Sequence, residues 1–215
     1  MTLPLPLRNR LADLVLDAFH DGDARRGLEA LAAVCADPRA LGATAPPAAF
    51  PAELFERGPE GWRIKSGYRE HAGPFGERAS RAARALADRP LAPGDPPLET
   101  VLDQAAALFA AGLYFEVHEI LEPHWMRAAG ATRLALQGLI QVAVGYQHLA
   151  NGNLGGARAL LRDGAAKLLG QRLAGRDLDA FAREVAGHAH ELAAGDAETA
   201  RRFDWRRVPP FPAEA

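Results

Sequence analysis

Two stretches, AAGLYFEVHEILE (residues 110–122) and LANGNLGGARALL (residues 149–161), share one form. Each places small residues and a Gly at a turn, then a bulky apolar residue, then a run whose apolar positions recur at helical spacing. That form predicts a joint between two antiparallel helices. One such hairpin cannot bury its apolar face alone and needs its neighbour, the logic of a helical array. The expected fold is therefore all-α: antiparallel helical hairpins packed as a small bundle or array.

Working outward, Thr100 with Asp103 has the spacing of a capping box, ahead of a helix with Val101, Ala105, Leu108 and Phe109 on one face. A second helix runs from about Tyr114 through the quoted motif, and a third from about Thr132 to Ala150. The NGN at residues 151–153 supplies a left-handed turn and an N-cap at Asn153. A fourth helix reaches about Leu169, and a fifth spans Asp177 to Leu192 with Leu178, Phe181, Val185 and Leu192 inward. Near the start, Leu7, Leu11, Leu14, Val15 and Ala18 repeat at helical spacing. So do Ala24, Leu28, Leu31, Ala32 and Cys35 after an Asp23 cap.

Between them, residues 38–97 are dense in Pro and Gly and hold no sustained period. This reads as a long irregular connection with one short helix near Glu77 to Ala87. GWRIKSGYRE (residues 61–70) has extended character without an evident partner strand. A connection of this length marks a boundary before Leu98. The expected organisation is an N-terminal helical hairpin (1–37), the irregular connection (38–97), a helical core domain carrying an HExxE motif (98–193), and a C-terminal strap (194–215).

About half of the 215 residues are apolar, enough for a sizeable core. A net charge of −2 leaves no basic excess to attract nucleic acid or an anionic membrane surface. A single Cys35 permits no intrachain disulfide, and the first residues break any apolar leader with Pro and Arg. The expected location is cytoplasmic, with no membrane and no nucleic-acid partner.

Within FEVHEILEPHW (residues 115–125), Tyr114, His118, Leu121, Glu122 and Trp125 fall on one side of a helix at about 100° per residue. Glu119 lies at the rim, and Glu116 and His124 fall outside. The following helix presents Gln137, Gln141, Val144 and His148, with Gly138 and Gly145 permitting close approach of a neighbour. These residues predict a polar pocket of Tyr114, His118, Glu122, Trp125, Gln137, Gln141 and His148 between two helices. Imidazole nitrogens and a carboxylate suit a divalent metal such as Zn, Mn or Fe, with His118, Glu122 and His148 as ligands. The same residues equally suit a hydrogen-bonded packing network. HEILE departs from the HExxH zinc helix, because Glu122 replaces the second His. Pro123 is expected to kink this helix and swing Glu122 relative to His118.

LYFEVHEILEPHW and LQGLIQVAVGYQHLANGNLGGARALL, over about residues 98–169, resemble the bacterial and archaeal domain-of-unknown-function family 309. The likeness rests on Tyr114, Glu116, His118, Glu119, Glu122, Trp125, Gln137, Gln141, His148, Gly152 and Asn153, among others. It implies an all-helical domain and marks a site without naming a reaction.

Three classes of function remain. The foremost are a binding module for a small molecule or peptide and a structural or regulatory protein using its polar layer for packing, with a homo-oligomer open to either. The alternative is a metal-dependent hydrolase-like enzyme with His118, Glu122 and His148 as ligands and Glu119 as general base.

Overall fold

A computed structural model describes residues 2–195 and 197–214; Met1, Asp196 and Ala215, which fall within the expected terminal segments, lie outside the described residues. The fold is all-α, with two small antiparallel hairpins as its only sheet among the described residues. It divides into two compact units, Met1–Pro96 and Pro97–Ala215.

The first unit opens with helices α1 (Leu5–Asp17) and α2 (Gly22–Ala36). Their apolar stripes bury Leu7, Leu11, Leu14, Leu28 and Leu31, as the spacing predicts. The N-cap of α2 is Asp21, not Asp23: its carboxylate accepts from the Asp23 N–H at 2.8 Å. Strands β1 (Phe55–Gly58) and β2 (Gly61–Ile64) then pair with Phe55 opposite Ile64. This hairpin supplies the partner strand that GWRI lacked in the sequence. Its turn needs Gly61, which has φ +114° and where a Cβ would lie 2.1 Å from the Pro38 carbonyl oxygen.

Helix α3 spans Ala72–Leu86 and begins five residues before the expected Glu77. A 3₁₀ turn at Ser66–His71 leads into it, and Pro74 sits in its first turn, where a missing N–H costs little. α3 packs on α2 so closely that a Cβ at Gly76 would lie 2.8 Å from the Cys35 Cβ. Phe75 is fully buried there, its ring 6.5 Å from that of Phe55.

The second unit is a run of helices in which sequence neighbours pack as neighbours: α4 (Leu98–Ala110), α5 (Tyr114–Arg127), α6 (Gly130–Ala150), α7 (Leu154–Leu168) and α8 (Asp179–Ala194). These are the five helices expected after Leu98. A short α9 (Ala197–Arg201) follows. No capping box forms on α4: Pro97 is the N-cap, without a side-chain cap bond, and Thr100 lies inside the first turn. The α6–α7 joint is as predicted, with Gly152 at φ +75° and Asn153 Oδ1 accepting from the Gly156 N–H at 3.0 Å.

The glycines of α6 do admit a neighbour, and that neighbour is α7. A Cβ on Gly138 would lie 2.6 Å from Leu168 Cδ2, and one on Gly145 would lie 2.8 Å from Leu161 Cδ2. Gly164 of α7 reciprocates, its would-be Cβ 2.9 Å from the Gly138 carbonyl oxygen. Backbones crossing this closely need Gly on both helices.

Two features of this unit have no counterpart in the sequence reading. Strands β3 (Arg172–Leu173) and β4 (Arg176–Asp177) form a hairpin between α7 and α8, its turn made by Ala174 and Gly175, both at positive φ. The C-terminal strap also does more than lie on the surface. Phe203 and Phe211 are buried in an aromatic core with Phe109, Tyr146 and Phe181. Arg176, only 2% exposed, latches the strap by donating to the Pro212 carbonyl at 2.8 Å and to Asp103 at 2.8 Å.

Candidate functional site

α5 is one continuous helix through Pro123. The expected swing of Glu122 does not occur: His118 Nε2 and Glu122 Oε1 stay one turn apart, 3.8 Å from each other. Pro123 costs an N–H, but its own carbonyl accepts from Arg127 Nε at 3.0 Å. The far end of the helix is held from α6. Arg133 donates to the carbonyls of Trp125 (2.8 Å) and Met126 (3.2 Å), and its guanidinium lies 4.3 Å from the centre of the Trp125 ring. The Ala128 N–H reaches the Trp125 carbonyl only at 3.3 Å, and the guanidinium adds a second donor there while stacking on the helix's last aromatic residue.

The helix is rotated from the expected setting. Its buried residues are Tyr114, Glu116, Val117, Ile120 and Leu121, while His118, Glu119 and Glu122 are half-buried along one border. Glu116, left outside the inner site by the helical wheel, is 1% exposed. The physical reason is the apolar stripe itself. Val117 and Ile120 join Tyr114 and Leu121 to centre the buried arc away from His118, and Glu116 falls within that arc.

The residues expected to form one pocket therefore separate into groups. Tyr114 joins the aromatic core, stacked on Tyr146 with ring centres 5.5 Å apart. Trp125 lies under Arg133, and its Nε1 is buried with no hydrogen-bond partner among the described residues. On α6, Gln137 is half-buried, as is Gln141, whose Oε1 is likewise buried without such a partner.

His148 works at the α6–α7 joint. Asn153 Oδ1 is committed to the Gly156 N–H, so Asn153 Nδ2 donates to His148 Nδ1 at 2.8 Å. In the neutral ring this puts the remaining proton on Nε2, which then has no lone pair for a metal.

His118, Glu119 and Glu122 do come together. They offer three ligand atoms within 4.8 Å of one another. Glu119 Oε1 lies 2.9 Å from His118 Nδ1, and a carboxylate there accepts the Nδ1 proton. That bond turns the Nε2 lone pair toward Glu122, and a carboxylate holding the far ring nitrogen in this way is common behind metal-bound imidazole. Two atoms sharing a tetrahedral Zn at about 2.1 Å each sit about 3.4 Å apart, so the observed separation needs only a small side-chain adjustment.

A second polar group lies elsewhere in the unit. Tyr146 OH and His188 Nδ1 are 2.8 Å apart in the core. Burial pushes the Tyr146 phenol above its ordinary range, with like charge from Tyr114 and Glu184 adding to it. Burial first, and then Arg207, holds His188 below its ordinary value. Neither partner stood out as a site residue in the sequence, because Tyr146 and His188 are 42 positions apart and each sits in an apolar stripe.

Residues 102–160 match the family described as Domain of unknown function (DUF309). No curated protein and no solved structure matches the chain. The DUF309 segment contains His118, Glu119 and Glu122 together with Gln137, Gln141, His148 and the α6–α7 joint. Its description gives a domain and no activity. No helix of the described residues is long and apolar enough to cross a membrane.

Proposed function

We propose that the second unit is a binding module whose site on α5 takes a divalent cation through His118 Nε2 and the Glu122 carboxylate, with Glu119 orienting the imidazole. One observation carries this reading: His118 Nε2 and Glu122 Oε1 lie 3.8 Å apart on a half-exposed border of a helix held at its far end, with Glu119 Oε1 2.9 Å from His118 Nδ1. Two protein ligands leave coordination positions open, and a carboxylate or phosphate of a small molecule or peptide would complete them. Zn, Mn and Fe all accept this donor set.

The enzymatic alternative, with Glu119 as general base, has a specific difficulty. Glu119 already accepts from His118 Nδ1, and a carboxylate so engaged is a weaker base toward water. Glu119 is assigned the orienting role for that reason. A packing role remains the competing reading, since the His118–Glu119 contact satisfies both groups without an ion.

Metal content of protein purified without an affinity tag, and calorimetric titration of chelator-treated protein with Zn and Mn, test the proposal. One ion per chain should bind. His118→Ala should abolish binding, and Glu119→Gln should weaken it by about 10- to 100-fold, as loss of an orienting partner does. Chemical denaturation with and without chelator separates the packing role. A ligand that binds only the folded state stabilises it by mass action, so chelator should lower the stability of the wild type and leave His118→Ala unchanged. If His118→Ala costs the same with and without chelator, the site is packing alone.

A further inference from the structure

The first unit lies outside the DUF309 match and has a cavity of its own, about 450 Å³, between the end of α2, the β1–β2 hairpin and the start of α3. Its inner wall is apolar. Val34, Phe55 and Ile64 are buried core residues that also line it. Trp62 forms another wall, fixed by an edge-on contact with Phe50 at 5.5 Å and by the Arg57 guanidinium 5.9 Å from its ring centre. The Cys35 thiol lines the cavity too, and burial pushes its pKa up to about 12, so it presents a neutral, weakly polar surface.

The charges on the lining are of both signs. Arg63 is committed to Glu56 at 3.0 Å. Arg69 and Glu77 also line the cavity, both exposed, and neither has an ion-pair partner among the described residues. A groove with an apolar inner wall, one uncommitted guanidinium and one uncommitted carboxylate is complementary to a molecule that has an apolar body and carries both charges. A purely anionic ligand would leave Glu77 facing it, and a purely cationic one would leave Arg69. The apolar walls are preformed, so the ordering that binding requires is confined to the exposed Arg69 and Glu77 side chains.

We infer that this cavity binds a small zwitterion with an apolar body, of the class of the apolar α-amino acids, its carboxylate on Arg69 and its ammonium on Glu77. The inference is independent of the cation site on α5. It gives the first unit a recognition role of its own.

The test is calorimetric titration of the full chain with L-phenylalanine and L-leucine, alongside three truncated probes. 3-Phenylpropionate lacks the ammonium, 2-phenylethylamine lacks the carboxylate, and 2-phenylethanol lacks both. The zwitterions should bind at one site per chain, and each singly charged probe should bind about tenfold more weakly, the loss of one charge-assisted contact. Arg69→Ala should weaken L-phenylalanine but leave 2-phenylethylamine unchanged. Glu77→Gln should weaken L-phenylalanine but leave 3-phenylpropionate unchanged. Both residues are exposed and outside the core, so the variants should fold, which circular dichroism checks. Equal affinity for 2-phenylethanol would reduce the cavity to a non-selective apolar cleft and overturn the inference. So would the absence of saturable binding by either amino acid, or a response of L-phenylalanine to neither variant.

Discussion

The α6–α7 crossing makes a prediction whose sign opposes the usual expectation for a helical glycine. Gly164 lies within α7, where Ala would ordinarily stabilise by about 0.5–1 kcal/mol through backbone entropy. A Cβ at Gly164, however, would lie 2.9 Å from the Gly138 carbonyl oxygen, 2.9 Å from Val142 Cγ2 and 3.1 Å from the Val142 amide nitrogen. Two of these three atoms are backbone of α6, so relief requires the helices to part. Inserting one methyl group into such a contact costs about 1–3 kcal/mol. Taking the middle of each range, Gly164→Ala should destabilise by about 1 kcal/mol net. Gly187 provides the control within the same unit: it is helical on α8, and a Cβ there would meet nothing within 4 Å. Gly187→Ala should stabilise by about 0.5–1 kcal/mol. Urea denaturation followed by circular dichroism at 222 nm reads both. At a slope of about 2 kcal/mol/M, the two midpoints should move in opposite directions by about 0.3–0.5 M each. A midpoint for Gly164→Ala at or above the wild type would refute the close crossing as the reason for Gly at this position.

Two further outcomes follow from the core of the second unit. Because burial holds His188 below its ordinary pKa, the unfolded chain binds its proton first, and folded stability should fall as pH drops from about 7 to about 5. His188→Gln should flatten that limb in a series of denaturation curves; an unchanged slope would remove His188 from the account. The surface carboxylates Glu191 and Asp204, held low by hydrogen bonds from Arg207 and Arg206, lose their contribution only as pH falls below the ordinary carboxylate range, so the two limbs are separable. Arg176→Met should retain the apolar stem but lose the donors to Pro212 and Asp103, freeing the strap. Limited proteolysis should then cut between Phe203 and Phe211 several-fold faster than in the wild type, and unchanged protection would show that the phenylalanines hold the strap without the latch.

The helices were legible because their apolar stripes extend over ten or more residues, and a 3.6-residue period accumulates over that length. The ends were less so. A cap depends on one side chain reaching one amide, and Asp21 and Asp23 are equally good candidates until the turn before α2 is fixed. The β1–β2 hairpin was hidden for a different reason. Four-residue strands are too short to show a period, and this pair is held by Phe50, Phe55 and Phe75, which come together only in the folded unit.

The site divides in the same way. That His118 and Glu122 meet is local geometry, a consequence of i, i+4 spacing, and the sequence contains it; so does the nearness of Glu119. Which way that border faces is not local. Helical spacing centres the inner arc on Tyr114, His118, Leu121, Glu122 and Trp125 and so places Glu116 outside, whereas burial followed Val117, Ile120 and Leu121 and took Glu116 with them. His148 shows the same limit from the other side. Its spacing on α6 matched a ligand, and Asn153 was legible as a cap, but one amide has two ends. Once Oδ1 takes the Gly156 amide, Nδ2 must find an acceptor, and His148 Nδ1 is one turn away. A cap thus assigns the tautomer of a histidine five residues before it, and in doing so separates His148 from the His118–Glu122 border of α5.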